Sequence, residues 1–82
     1  MTERTQILAV LTDCMKKATE GDLPERVTEE MSLADDLLLD SLTMVEVAVL
    51  VEEQLGVKVP DEELPTLTTV GDVVSYIAEH SA

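Results

Sequence analysis

The sequence predicts an all-α domain, with three longer helices and one short helix around an aliphatic core and a long first loop. Three observations carry that reading. Apolar residues recur at helical spacing in three separate segments. The segments are punctuated by helix-stopping residues at Gly21, Gly56 and Pro65. The apolar fraction is 45%, yet there is no Trp or Phe and Tyr76 is the only aromatic, so the core is built from Leu, Val, Ile, Met and Ala. Such a core repacks easily and could open for a flexible apolar guest. Eighty-two residues make one small domain, residues 1–82, which buries only about 60% of its unfolded surface.

The first helix is expected from about Glu3 to Thr19, with Thr2 as its cap. Ile7, Leu8, Leu11, Cys14, Met15 and Ala18 form its apolar stripe, Gly21 ends it and Pro24 confirms the break. From Gly21 to Leu39 no long periodic element appears, and a loop of that length inside a small domain points to function or disorder. Leu23, Val27, Met31, Leu33, Leu37, Leu38 and Leu39 are all available to pin it to a core. An ordered loop is therefore expected, with a single helical turn near Leu33–Leu37.

Residues 41–55 contain alternating valines that would suit a strand. The segment is too long for an ordinary strand, however, and it ends in Glu52-Glu53-Gln54-Leu55-Gly56, helix-forming chemistry with a glycine stop. Read as a helix, it has a wholly apolar core face of Met44, Val47, Ala48, Val51 and Leu55. A second stripe, Leu42, Glu46, Val49 and Glu53, alternates apolar and acidic groups. A docking face has that composition, because apolar groups supply burial while carboxylates steer a basic partner. Next, Pro60-Asp61-Glu62-Glu63-Leu64 reads as a short helix, with Pro65 just past its end. Thr69 caps the last helix and Asp72 takes the capping-box position, ahead of a stripe of Val70, Val73, Val74, Ile77 and Ala78.

Net charge is −13 and unevenly placed. Residues 1–26 hold five acids and four bases, whereas residues 27–82 hold thirteen acids and one base, Lys58. That stretch repels nucleic acid and anionic membrane and attracts basic protein surfaces. The lone Cys14 permits no internal disulfide and points to an intracellular, cytoplasmic protein; on the apolar stripe it reads as a buried small hydrophobe. With a single histidine at position 80, no metal site is expected. The apolar stretch Ile7–Leu11 is too short to span a membrane. Catalysis is not expected either, because Ser41 has no plausible base and there is no Gly-rich phosphate loop.

Ser41 is nevertheless the most informative residue. Asp40 can cap the helix, leaving Ser41 exposed on the first turn beside unpaired backbone amides and the positive end of the helix dipole. That setting suits a phosphodiester, attached by a separate enzyme. The segment Leu37-Leu38-Leu39-Asp40-Ser41-Leu42, followed by Val45-Glu46 and Glu52-Glu53, resembles the phosphopantetheine attachment region of acyl carrier proteins. The resemblance continues through Val57-Lys58-Val59-Pro60-Asp61-Glu62-Glu63 and Leu67-Thr68-Thr69-Val70, so it covers nearly the whole chain.

The resemblance implies a four-helix bundle of acyl-carrier type, with Ser41 as the attachment residue between Asp40 and Leu42. A phosphopantetheinyl transferase would esterify Ser41 from coenzyme A with magnesium. The thiol of the arm would then carry acyl groups between an acyltransferase, a ketosynthase and other basic-surfaced enzymes, with the carrier itself a monomer and not an enzyme. In the family the helix after the serine is the main recognition surface, which matches the stripe Leu42, Glu46, Val49, Glu53. A sequestered acyl chain is expected between that helix and the short helix, against Val47, Val51, Leu64 and Leu67.

This chain departs from the family at three places. Leu38 stands where Gly is common, Leu39 where a small residue is common, and Thr43 where an acid is frequent. The surroundings of Ser41 are thereby more apolar and less acidic, which counts against a housekeeping fatty-acid role and suits a specialised one such as polyketide-type or related secondary metabolism. Asp40 argues against a peptidyl carrier, where His commonly precedes the serine, while a D-alanyl carrier stays open. So does an acidic helical interaction module without a prosthetic group, in which Ser41 is only a cap.

Overall fold

The computed structural model describes residues 3–80. Helix α1 runs over Arg4–Ala18, α2 over Ser41–Leu55 and α3 over Val70–His80, with a 3₁₀ helix at Asp61–Thr66 between α2 and α3. The all-helical expectation holds, and the only β-type pairing among the described residues is an isolated bridge between Ser32 and Thr69. Helix α1 packs against both α2 and α3, and the 3₁₀ helix packs against α2.

The core is aliphatic. Ile7, Leu11, Cys14 and Met15 of α1 are buried with Met44, Val47, Ala48 and Val51 of α2 and with Val70, Val73, Val74 and Ile77 of α3. Leu55 is half-buried at the edge of that cluster. Helix α1 is one residue shorter at each end than expected. Glu3 occupies its N-cap position without a side-chain hydrogen bond, and the Thr2 cap lies outside the described residues.

The start of α3 matches the expected capping box. The Asp72 amide donates to the Thr69 hydroxyl at 3.1 Å, while the Asp72 carboxylate accepts from the Thr69 amide at 3.1 Å and the Thr68 amide at 3.0 Å. Aspartate is shorter than the usual Glu or Gln, yet it reaches two amides. The third element differs from expectation. The short helix is a 3₁₀ helix with Pro60 as its N-cap, and Pro65 lies inside it instead of past its end. Proline costs such a turn only one amide donor, and the Leu67 amide still closes it onto the Leu64 carbonyl at 3.1 Å.

The long loop between α1 and α2 is laced to the approach of α3. The Leu33 amide donates to the Thr68 carbonyl at 3.0 Å, Val70 to Met31 at 3.0 Å and Gly71 to Glu29 at 2.8 Å. Arg4 reinforces this seam, pairing with Glu29 and donating to the Ser75 hydroxyl at 3.0 Å. A hydrogen-bonded turn at 33–36 stands where a single helical turn is expected. Leu33, Leu37 and Leu39 are buried and Leu23, Val27 and Met31 half-buried. Leu38 departs from the expectation, being 80% exposed.

Candidate functional site

The site is assembled where the loop enters α2. Two bonds fix its approach: Asp36 accepts from the Ser32 amide at 2.7 Å, and the Leu39 amide reaches back to the Leu33 carbonyl at 2.9 Å. Asp40 is the N-cap of α2, its carboxylate accepting from the Thr43 amide at 2.8 Å. That bond holds the Asp40 carboxyl below the usual carboxylate range. Ser41 follows as the first residue of α2, exposed, with no hydrogen bond to its hydroxyl among the described residues. Capping therefore falls to Asp40, and Ser41 is left free of that duty. The only histidine, His80, stacks on Tyr76 with ring centroids 4.1 Å apart and bonds the Tyr76 carbonyl at 2.8 Å.

A cavity of about 490 Å³ opens beside Ser41. Its walls are Leu33, Ala34 and Leu39 from the loop, Met44 and Val45 from α2, and Leu64, Pro65 and Leu67 from the 3₁₀ region, with Asp40 and Asp61 also reaching it. Leu64 and Leu67 thus lie at this cavity. Val47 and Val51 do not line it; they are fully buried in the aliphatic core. Helical geometry explains the division. Met44 and Val45 stand three and four residues after Ser41, one turn away, whereas Val47 is turned about a third of the way round the helix and Val51 lies about 15 Å farther along its axis. That spacing was available in the sequence, and it is the signal by which Met44 and Val45 could have been found.

The four residues of the apolar-acidic stripe share one exposed face of α2. Leu42 is 71% and Val49 53% exposed, and Glu46 and Glu53 are exposed between and beyond them. Neither apolar side chain tucks into a flanking loop.

Leu38 has a positive φ of 56°. The left-handed region costs a residue with a Cβ about 1–2 kcal/mol, which is why glycine is favoured there. The same backbone turn sends the Leu38 side chain outward while its neighbours Leu37 and Leu39 are buried.

Among the described residues no group of three or more His, Cys, Asp or Glu could hold a metal, and no helix is long and apolar enough to cross a membrane. Cys14 is buried, and burial, with Asp13 beside it, pushes its thiol above the ordinary range.

A family profile described as a phosphopantetheine attachment site matches residues 9–77. The meromycolate extension acyl carrier protein of Mycolicibacterium aurum is 53% identical over 72 residues, covering 88% of this chain and 73% of that protein. An acyl carrier protein of Rhodococcus erythropolis is 49% identical, covering 94% of this chain and 84% of the relative. Another, from Renibacterium salmoninarum, is 45% identical over the full length of both chains. A bundle that leaves one serine exposed at the head of α2, beside an apolar cavity, agrees with these matches: the chain belongs to the acyl carrier protein family and is a phosphopantetheine carrier.

Proposed function

We propose that Ser41 is the attachment residue and that the arm it bears carries acyl groups through fatty-acid-like or polyketide-type synthesis. The observation that carries this reading is the exposed Ser41 hydroxyl at the head of α2, freed from capping by Asp40. In the transfer, Ser41 Oγ bonds to the phosphorus bearing the pantetheine arm of coenzyme A. The phosphoanhydride P–O bond breaks, adenosine 3′,5′-bisphosphate leaves, and the hydroxyl proton passes to a base of the transferase. This chain needs no base of its own, since such reactions depend on positioning and electrostatics that the transferase and its magnesium supply. The residues present fit the product, because the start of α2 favours the negative phosphodiester. Once attached, the arm supplies a thiol that holds acyl groups as thioesters.

The cavity beside Ser41 supports an apolar cargo. Its volume of about 490 Å³ lies within the ~300–1,000 Å³ usual for small-molecule sites, and Leu33, Leu39, Met44, Leu64 and Leu67 give it an oily wall. The similarity to carriers named for meromycolate extension supports long-chain acyl work more than a peptidyl or D-alanyl role. Leu42, Glu46, Val49 and Glu53 form the face on which acyltransferase, ketosynthase and transferase dock, with their basic surfaces drawn to the acidic α2. The carrier works in the cytoplasm as a monomer.

The test is intact mass after incubation with coenzyme A, magnesium and a broad-specificity phosphopantetheinyl transferase. The wild type gains one phosphopantetheine and Ser41→Ala gains none while keeping its helical circular dichroism. A wild type that stays unmodified overturns the reading.

A further inference from the structure

We propose that Leu38 is a second apolar anchor for the enzyme that modifies Ser41, set in the first loop apart from the α2 face. The inference rests on Ser41 being the attachment residue, and its observations are those of the loop. Leu38 is the most exposed large apolar residue described, at 80%, and it occupies the left-handed region at φ 56°. Both features count against the isolated chain, because glycine or asparagine would fit that backbone with less strain and without presenting an apolar surface to water. Leu37 and Leu39 are buried on either side, so the core does not recover what Leu38 gives up. Burial against a partner does.

Position selects the partner. Leu38 stands three residues before Ser41 and Leu42 one residue after it, and both point outward. Enzymes that work on the acyl thioester meet their substrate at the end of a long flexible arm. The transferase alone must bring its own reacting groups to the Ser41 hydroxyl, so it must lie over the surface immediately around that residue.

Charge describes its contact face. Asp35, Asp36, Asp40 and Glu46 are all exposed around this stretch, and Lys58 is the only base between residues 27 and 82. The matching surface is an apolar recess for Leu38 with a basic rim. On the far side Leu38 also borders a groove of about 360 Å³ shared with Thr19, Asp22, Leu23, Pro24 and Asp36.

The experiment measures steady-state phosphopantetheine transfer from coenzyme A to the apo full-length chain, using the same transferase. The variants are wild type, Leu38→Gly, Leu38→Asn and Leu38→Met. Glycine and asparagine both accept the backbone conformation, so their melting temperatures should equal or exceed that of the wild type. Their KM should rise about tenfold, equivalent to ~1.4 kcal/mol of lost docking, with kcat nearly unchanged. Met should keep KM within about twofold, as an apolar replacement does. Because the anchor is apolar, the tenfold ratio should persist in high salt, even as every KM rises through screening of the acidic rim.

Wild-type KM values in both Leu38→Gly and Leu38→Asn overturn the proposal while leaving Ser41 as the attachment residue. A wild type that accepts no phosphopantetheine overturns both. A wild type that dimerises on size exclusion, with the Leu38→Asn variant monomeric, assigns Leu38 to a second copy of this chain and also overturns it.

Discussion

The Thr43 amide donates to the Asp40 carboxylate at 2.8 Å, and this one bond separates the structural duty of the α2 terminus from its chemical one. At α3 the Thr69 hydroxyl is the cap, and the Asp72 carboxylate bonds back to the amides of Thr69 and Thr68. In both cases these amide bonds hold the folded-state carboxyl below its ordinary range. A depressed folded pKa gives stability that is fully present above the unfolded value, about 3.9 for Asp, and lost as pH falls through the folded value. The stability difference between wild type and Asp40→Asn or Asp72→Asn should therefore be constant from pH 7 to about 5 and shrink below about 4. Urea melts across that range check it, and a difference that grows on acidification would refute the assignment.

Ser41→Ala should leave thermal stability within about 0.5 kcal/mol of the wild type, as for an ordinary exposed position. The cap belongs to Asp40, so the hydroxyl can be removed without loosening α2. Thermal melts distinguish this from a capping serine, whose loss costs about 1 kcal/mol.

Gly71→Ala should destabilise the fold by about 1 kcal/mol, against the usual preference of helices for alanine. A Cβ at residue 71 would stand 3.0 Å from the Glu29 carbonyl oxygen, the atom that accepts the Gly71 amide. The clash falls on backbone in the seam between the first loop and α3. An unchanged or raised melting temperature would mean that this seam yields easily.

Loading the arm with a medium-length acyl chain should raise the melting temperature by about 5 °C over the unloaded holo form, equivalent to ~1 kcal/mol. Leu64→Asp should abolish most of that rise, because Leu64 is half-buried at the cavity beside Ser41 and a carboxylate there repels an apolar guest. An equal rise in both proteins would place the acyl chain elsewhere.

Cys14 should react with iodoacetamide at neutral pH at least about tenfold more slowly in the folded chain than in urea. It is fully buried, and burial pushes its thiol upward, so both access and thiolate fraction are reduced. Mass spectrometry of time points gives the ratio, and comparable rates would show that α1 opens readily.

The parts of the site differ in how far local sequence specified them. Asp40, Ser41 and Leu42 were legible because a cap, a helix start and an exposed first turn are set by neighbouring residues. The Thr69–Asp72 box was legible for the same reason. The cavity wall was only half legible, since it joins residues from a loop, α2 and the 3₁₀ helix, and apolar character alone does not separate a core face from a cavity face. Val47 and Val51 are as apolar as Val45, yet they belong to the buried core rather than to the cavity wall.

The sequence by itself determined the helices, through apolar spacing and their Gly and Pro stops, and it determined Ser41 as the residue with distinctive surroundings. Those features rest on contacts within one or two helical turns. Tertiary structure decided how the long loop runs along the approach to α3 through the Leu33–Thr68 and Gly71–Glu29 bonds. It decided that the third element is 3₁₀ with Pro65 inside, and that Leu38 alone among its leucine neighbours turns outward at positive φ. Three successive leucines carry the same hydrophobic preference. With Leu37 and Leu39 both drawn into the core and Asp40 held as a cap, the backbone between them leaves the middle side chain facing solvent.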